Sequence, residues 1–234
     1  MTAPQLPPFP PIEPPRSTVV FPDPRRLGAG QQLVGVSRAI TPGMALSAYR
    51  RGIFPWPVED EVIPWASPAE RAVFPLDAPP DWPRNVRKAI NRARSDGLLV
   101  TVDVAFERVM SECAGARPEG TWITTDLTRT YVELHRLGWA HSVEVWAGPD
   151  LIGGLYGMAL GALFAGESMF HRRTDASKVA FVALVDRLRA RGFELLDAQV
   201  MNPHLENLGC IELPRDVYLD RLPGMAARPL RFAG

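Results

Sequence analysis

Nine of the first 24 residues are proline, and proline returns at 55, 57, 64, 68, 75, 79, 80 and 83. Proline lacks an amide hydrogen and holds φ near about −65°, so it is excluded from helix interiors and central strands. Residues 1–20 therefore read as a proline-rich tail or irregular wrap in extended or polyproline II backbone. Residues 21–75 read as a small irregular N-terminal domain, and 76–234 as a larger, more regular one. One helix is expected in the smaller part: Thr41 is an N-cap, Pro42 occupies the first helical position, Leu46 and Tyr49 follow, and Gly52 stops it.

The larger part has clear periodicity. Residues 84–94 look helical and Leu98 to Val102 reads as a short strand. Asp103 is expected to cap a helix that buries Phe106, Val109, Met110 and Cys113, and Asp126 a second one that buries Leu127, Tyr131 and Leu134. Ser142 to Ala147 alternates as a strand, Gly148-Pro149-Asp150 turns the chain, and the return strand starts at Leu151. Glycines 153, 154, 157 and 161 in that return imply close approach by another backbone or a ligand. Thr174 or Asp175 opens a helix with Phe181, Leu184, Val185 and Leu188 as its apolar stripe, and a strand over Phe193 to Val200 follows. Strand, helix, strand in that order implies a parallel crossover, hence an α/β fold with a mixed sheet.

Composition excludes several classes. Lys plus Arg and Asp plus Glu both number 26, so there is no net charge, and a nucleic acid would have to be met by a local patch. The best one is RNVRKAINRAR (84–94), which carries Arg84, Arg87, Lys88, Arg92 and Arg94 with no acid among them. Residues 84, 88 and 92 share a helical face. The same pattern also suits a plain solvated face. Cys113 and Cys210 form no Cys-x-x-Cys motif, which fits a reducing compartment. The N-terminus has neither the basic nor the apolar region of a signal peptide, and Leu151 to Gly166 is too short for a membrane span, so a cytoplasmic protein is expected. The four histidines do not fall at metal-ligand spacings, so no metal is expected. Neither a nucleophile triad nor a phosphate-binding glycine loop is evident.

Asp197 and Gln199 follow the apolar run 193–196 and lie two apart, on one face of a strand. By themselves they read first as a strand-end Asp paired to a nearby Arg, with Gln199 merely satisfied. Glu167, at the end of a glycine-rich apolar strand, needs a partner; Arg172 or Arg173 would serve. Trp56 and Trp122 stand beside prolines and a glycine, outside any periodic stripe.

An ordered set of segments resembles the leucyl/phenylalanyl-tRNA–protein transferase family: FPDPRR (21–26), AYRRGIFPW (48–56), TWIT (121–124), LHRLGWAHSVEVW (134–146), LIGGLYGMALG (151–161), GESMF (166–170), DASK (175–178) and DAQVMNPHL (197–205). The family's DCQ appears here as DAQ, with Ala198 at its centre. The resemblance implies a small N-terminal domain joined to a GNAT-like acyltransferase domain, monomeric and without a cofactor. It implies transfer of Leu or Phe from aminoacyl-tRNA to acceptor proteins beginning with Lys or Arg, which creates an N-degron. Asp197, Gln199 and Glu167 become the catalytic set, with Asp197 bonding or deprotonating the amine. Trp56 and Trp122 become platforms for the terminal adenosine. Leu155, Phe164, Met169, Phe181, Leu184, Leu188 and Leu196 become candidates for the side-chain pocket. The 84–94 helix becomes the tRNA phosphate contact. The rival reading, an acetyl-CoA-dependent acetyltransferase, needs a glycine-bearing anion nest where this chain has HRRTDASK (171–178).

Overall fold

The computed structural model describes residues 6–28, 30–56, 62–116 and 123–234. A 3-10 turn at Pro24–Arg26 leads to β1 (Leu33–Ser37), α1 (Pro42–Tyr49), β2 (Phe54–Pro55) and β3 (Ile63–Ala66). Next come β4 (Glu70–Pro75), α2 (Arg84–Ser95), β5 (Leu99–Val102), α3 (Phe106–Gly115), α4 (Thr125–Arg136) and β6 (Ala140–Ala147). The chain closes with β7 (Asp150–Leu160), β8 (Leu163–His171), α5 (Ala176–Ala190), β9 (Leu195–Gln199), α6 (Pro203–Asn207), β10 (Ile211–Pro214) and α7 (Arg215–Ala226).

Among the described residues the strands form two sheets, a small one in the order β1-β3-β2 and a seven-stranded one in the order β10-β4-β9-β8-β7-β6-β5. Every pairing in the large sheet is antiparallel except β8 with β9, which run parallel through the α5 crossover. The mixed α/β sheet and its crossover follow the pattern read from the sequence. Glu70–Pro75, the last stretch of 21–75, runs inside the large sheet between β10 and β9.

Each face of the sheet has its own core. One holds Tyr131 and Phe106 from α4 and α3, together with Tyr49 of α1 and Trp65 of β3. The other holds Phe181, Leu184 and Leu188 of α5 with Val86 and Ala93 of α2. The β7 glycines permit close packing of this chain upon itself. A Cβ on Gly153 would lie 2.6 Å from the Ala176 Cβ, and one on Gly157 2.2 Å from the Ala165 carbonyl oxygen.

Two capping expectations need correction. Asp103 lies outside α3, at φ 59, and its carboxylate binds His141 Nδ1 (2.8 Å) and the Ser142 amide (2.9 Å) instead. Thr124, not Asp126, caps α4, with its Oγ1 accepting from the Leu127 amide; Asp126 sits in the first turn, where a carboxylate suits the helix dipole. At α4 a hydroxyl two residues earlier takes the cap, whereas Asp103 is drawn off by partners 38 and 39 residues away and α3 is left without a side-chain cap. Thr41 caps α1 as expected.

Candidate active site

β8 and β9 pair only from Leu163 to Ala165 against Leu195 to Asp197. Past that point β8 runs on to His171 beside β7 alone, and the sheet opens into a pocket of about 250 Å³. Sites for whole drug-sized ligands occupy roughly 300–1,000 Å³, so this one suits a side chain and the few atoms attached to it. Its apolar wall includes Leu155, Met169, Phe181, Leu184 and Leu196, five positions expected from the sequence. Phe164 and Leu188 are not in it. Phe164 lies where β8 and β9 are still zipped together, fully buried and stacked 5.1 Å from Phe232. Leu188 stands one helical turn beyond Leu184, completely buried in the same core. Ala198 lines the pocket, as do Asn202, His204 and Leu205 around the start of α6.

Glu167 closes the polar end. Neither Arg172 nor Arg173 pairs with it; they bind Glu112 and Asp96 instead. Its partners are two tyrosines: Tyr49 Oη donates to Oε1 at 2.6 Å and Tyr131 Oη to Oε2 at 3.1 Å, while the two phenol oxygens lie 2.5 Å apart. Gln199 Nε2 also donates to Oε1, at 2.8 Å. Burial pushes the Glu167 carboxyl up to about 7, against the lowering effect of the two phenols. Burial, then the Glu167 charge, holds both phenols well above their ordinary range, so they remain protonated donors. The three mutual contacts need three protons and the phenols supply two. A proton on Glu167 completes the ring; its loss leaves two lone pairs facing each other.

Asp197 has a different environment. It exposes none of its surface and takes Arg71 side-on, Nε to Oδ1 at 2.8 Å and a terminal guanidinium nitrogen to Oδ2 at 2.6 Å. Tyr218 Oη adds 2.8 Å to Oδ2, and the Gln199 amide 2.8 Å to Oδ1. Burial works against the Arg71 charge, but Asp197 outweighs it and holds the guanidinium protonated. Asp197 contributes to the pocket wall, but both its carboxylate oxygens are engaged by four donors and the residue has no exposed surface. Its arrangement fixes the backbone of Gln199, which sits at φ 68, a conformation that is costly for a residue with a Cβ.

The family model described as Leucyl/phenylalanyl-tRNA protein transferase matches residues 74–223, and the model for that enzyme's N-terminal domain matches 38–69. A Leucyl/phenylalanyl-tRNA--protein transferase of Shewanella denitrificans is 49% identical over 190 residues, covering 81% of this chain and 80% of the relative. One of Salmonella paratyphi A is 41% identical over 219 residues, covering 92% and 91%. The chain belongs to the leucyl/phenylalanyl-tRNA protein transferase family.

It is thus an aminoacyltransferase. Among solved structures, FemX aligns at TM-score 0.49 with 12% identity, covering 63% of this chain and 60% of that one. The L-PGS of Bacillus licheniformis aligns at 0.41 with 14% identity, covering 58% and 46%.

For a leucyl/phenylalanyl-tRNA protein transferase the remaining expected residues fall as follows. Trp56 is half-buried against Phe54 (ring centroids 5.8 Å), outside the pocket lining, and Trp122 lies outside the described residues. Arg84, Arg87, Lys88, Arg92 and Arg94 all stand exposed on α2, which buries Val86, Ala89 and Ala93. Trp82, just before α2, packs edge-on against the pocket residue Phe181 at 6.0 Å, so the basic helix begins one side chain from the pocket. At the start of α5, Asp175 adopts φ 70 and binds Lys178 at 2.6 Å, which puts a carboxylate where a pyrophosphate nest would need bare amides. Asp103, His135 and His141 come together in space despite their unpromising spacing. Their near atoms are already engaged: His141 Nδ1 with Asp103, and His135 Nδ1 with the Ala140 carbonyl at 2.8 Å. A metal there would have to displace these bonds. Sequence reasoning missed Tyr49, Tyr131, Arg71 and Tyr218, whose partners lie between 21 and 126 residues away. No helix among the described residues is long and apolar enough to cross a membrane.

Proposed function

We propose that this chain transfers leucine or phenylalanine from the terminal adenosine of an aminoacyl-tRNA to the α-amine of a protein beginning with Lys or Arg, acting as a monomer. The observation that carries this is the wedge between β8 and β9, which joins an apolar slot of side-chain size to the Glu167 carboxyl, with the arginine-paired Asp197 beside it. The donor's side chain occupies the slot among Leu155, Met169, Phe181, Leu184 and Leu196. Its α-ammonium shares the Cα that bears this side chain, two bonds from Cβ, and so comes within reach of Glu167. An ammonium brought to Glu167 favours the carboxylate, so the site charges as substrate enters.

Gln199 keeps its amide oxygen for the attacking amine while Nε2 holds Glu167. The acceptor nitrogen attacks the ester carbonyl, the C–N bond forms, the C–O bond to the ribose breaks, and the amine proton ends on the released ribose hydroxyl. An α-amine has a pKa of about 7.7–8.0, so a useful fraction is already neutral without a strong base. The ester is activated in advance, and positioning, worth roughly 7–11 kcal/mol in favourable cases, is the main contribution. Asp197 acts by fixing Gln199. Trp56 and Trp122 serve the adenosine, where stacking is worth about 1–3 kcal/mol per base. The α2 cations meet tRNA phosphates.

A stable phenylalanyl-adenosine amide should compete with charged tRNA, and Leu184→Trp, which fills the slot, should abolish that competition. Undiminished binding of the amide to the Leu184→Trp protein would place the donor side chain elsewhere. Replacing Arg84, Lys88 and Arg92 together with alanine should flatten the log–log dependence of tRNA binding on salt by about 2–3, with the adenosine amide still bound. An unchanged salt slope would remove α2 from the tRNA contact.

A further inference from the structure

Residues 7–15 do not behave as a loose tail. Pro7 and Pro14 are buried. The Ile12 amide donates to the Leu137 carbonyl at 2.8 Å, and Trp139 Nε1 returns a bond to the Ile12 carbonyl at 2.8 Å. Glu13 grips Arg50 with both oxygens, at 3.0 and 2.5 Å, and the Arg50 guanidinium lies 5.1 Å over the Trp139 ring. At two crossings the segment comes so close that only glycine fits. A Cβ on Gly43, in the first turn of α1, would lie 2.0 Å from the Pro15 carbonyl oxygen. A Cβ on Gly138, just past α4 at φ 87, would lie 2.3 Å from that of Pro8. Proline suits such a path because it brings no amide to satisfy and loses little freedom on being ordered.

The anchor points bear directly on the site. Arg50 follows Tyr49, the last residue of α1, and Leu137 to Trp139 join β6 to α4, the helix that carries Tyr131. The two helices touch further up, where Thr130 Oγ1 donates to the Ile40 carbonyl at 3.1 Å. We propose that residues 7–15 form a strap that clamps α1 to the α4–β6 junction and thereby keeps Tyr49 and Tyr131 converged on Glu167. The segment is a positioning element for the transfer reaction, which rests on the role given to Glu167 above.

The test is the full-length Ile12→Pro/Glu13→Ala protein. Ile12→Pro removes the amide that Leu137 accepts from, and Ile12 is 54% exposed, so little packing is lost. We expect kcat to fall about tenfold or more with KM for charged tRNA unchanged, since displacement of reacting groups is felt in the chemical step. Ile12→Pro/Glu13→Asp, which keeps the charge on Arg50, should recover part of the rate. A second readout does not depend on turnover: the Glu167 carboxyl carbon, followed by NMR in carbon-13 glutamate-labelled protein. Glu167 is faced by Tyr49 from α1, Tyr131 from α4, Asp197 from β9 and Arg71 from β4. Loosening the first two weakens their lowering hydrogen bonds but also admits water, and because burial is the larger influence on this carboxyl the midpoint should fall from about 7. Unchanged kcat and an unchanged Glu167 midpoint would overturn the proposal, and a lowered Tm alongside them would reduce the strap to a stabilising contact. If the parent protein shows no transfer, the functional reading fails, while the Glu167 titration still decides the strap.

Discussion

Arg71→Met is expected to cost about 3–5 kcal/mol of folding stability, because it leaves Asp197 buried and uncompensated. The guanidinium is 2% exposed and its carboxylate partner not at all, so no water can replace it. Arg71 also donates to the Gly52 carbonyl at 3.1 Å and lies 4.6 Å over the rings of both Phe54 and Tyr218. One side chain thus ties β4 and β9 to the end of α1 and to α7. Urea unfolding should show the loss as a lower midpoint with little change in slope. Arg71→Met/Asp197→Leu should recover much of the stability and none of the activity, since the group that fixes Gln199 is gone. A loss under about 1 kcal/mol for Arg71→Met would mean that the pair is solvated, as surface ion pairs are.

Glu167→Gln should do the opposite to stability while reducing transfer about 10- to 100-fold, the value of a charge-assisted hydrogen bond to substrate. The folded protein holds the Glu167 proton up to about 7, against an ordinary 4.5. A raised carboxyl contributes its stability at acid pH and loses it as pH rises through about 7. Above pH 7 the buried charge costs about 3 kcal/mol relative to acid conditions, and the neutral amide does not bear that cost. Glu167→Gln should therefore melt roughly 5–10 °C above the parent at pH 8 and match it near pH 5. In the parent, kcat/KM for charged tRNA should rise with pH through about 7, the free-enzyme value, and this inflection should vanish in the variant. A variant that melts with the parent at both pH values would show that Glu167 is solvated. One that keeps full transfer would remove Glu167 from the reaction.

Much of this could be read in the sequence, for physical reasons. The parallel crossover followed from the periodicity of 142–200, because a 3.6-residue stripe between two period-2 runs leaves few alternatives. The α2 face and five wall residues of the pocket came from the same patterns together with the family resemblance. What sequence could not supply is the side-chain pairing across distance. Glu167 was recognised as needing a partner, and the nearest cations in the chain, Arg172 and Arg173, were the natural choice. They point to Glu112 and Asp96, and Glu167 found two phenols from helices more than 30 residues away. Asp197 and Gln199 were paired by strand alternation, yet the positive φ of Gln199 and the burial of Asp197 arise from β4 and α7, whose contacts no local pattern encodes. Phe164 and Leu188 looked equivalent to their neighbours because apolar spacing does not reveal where two parallel strands part. The proline-rich start was legible as extended backbone, and what it packs against was not.

The most direct test uses purified protein, tRNA charged with radiolabelled leucine and an acceptor protein beginning with Arg, without acetyl-CoA or ATP. Label should appear at the acceptor N-terminus, be suppressed by the phenylalanyl-adenosine amide, and fall sharply with Glu167→Gln while charged tRNA remains bound. Charged tRNA that binds and stays intact with no label in acceptors beginning with Lys or Arg would contradict the proposed reaction, and failure to bind it at all would contradict the substrate.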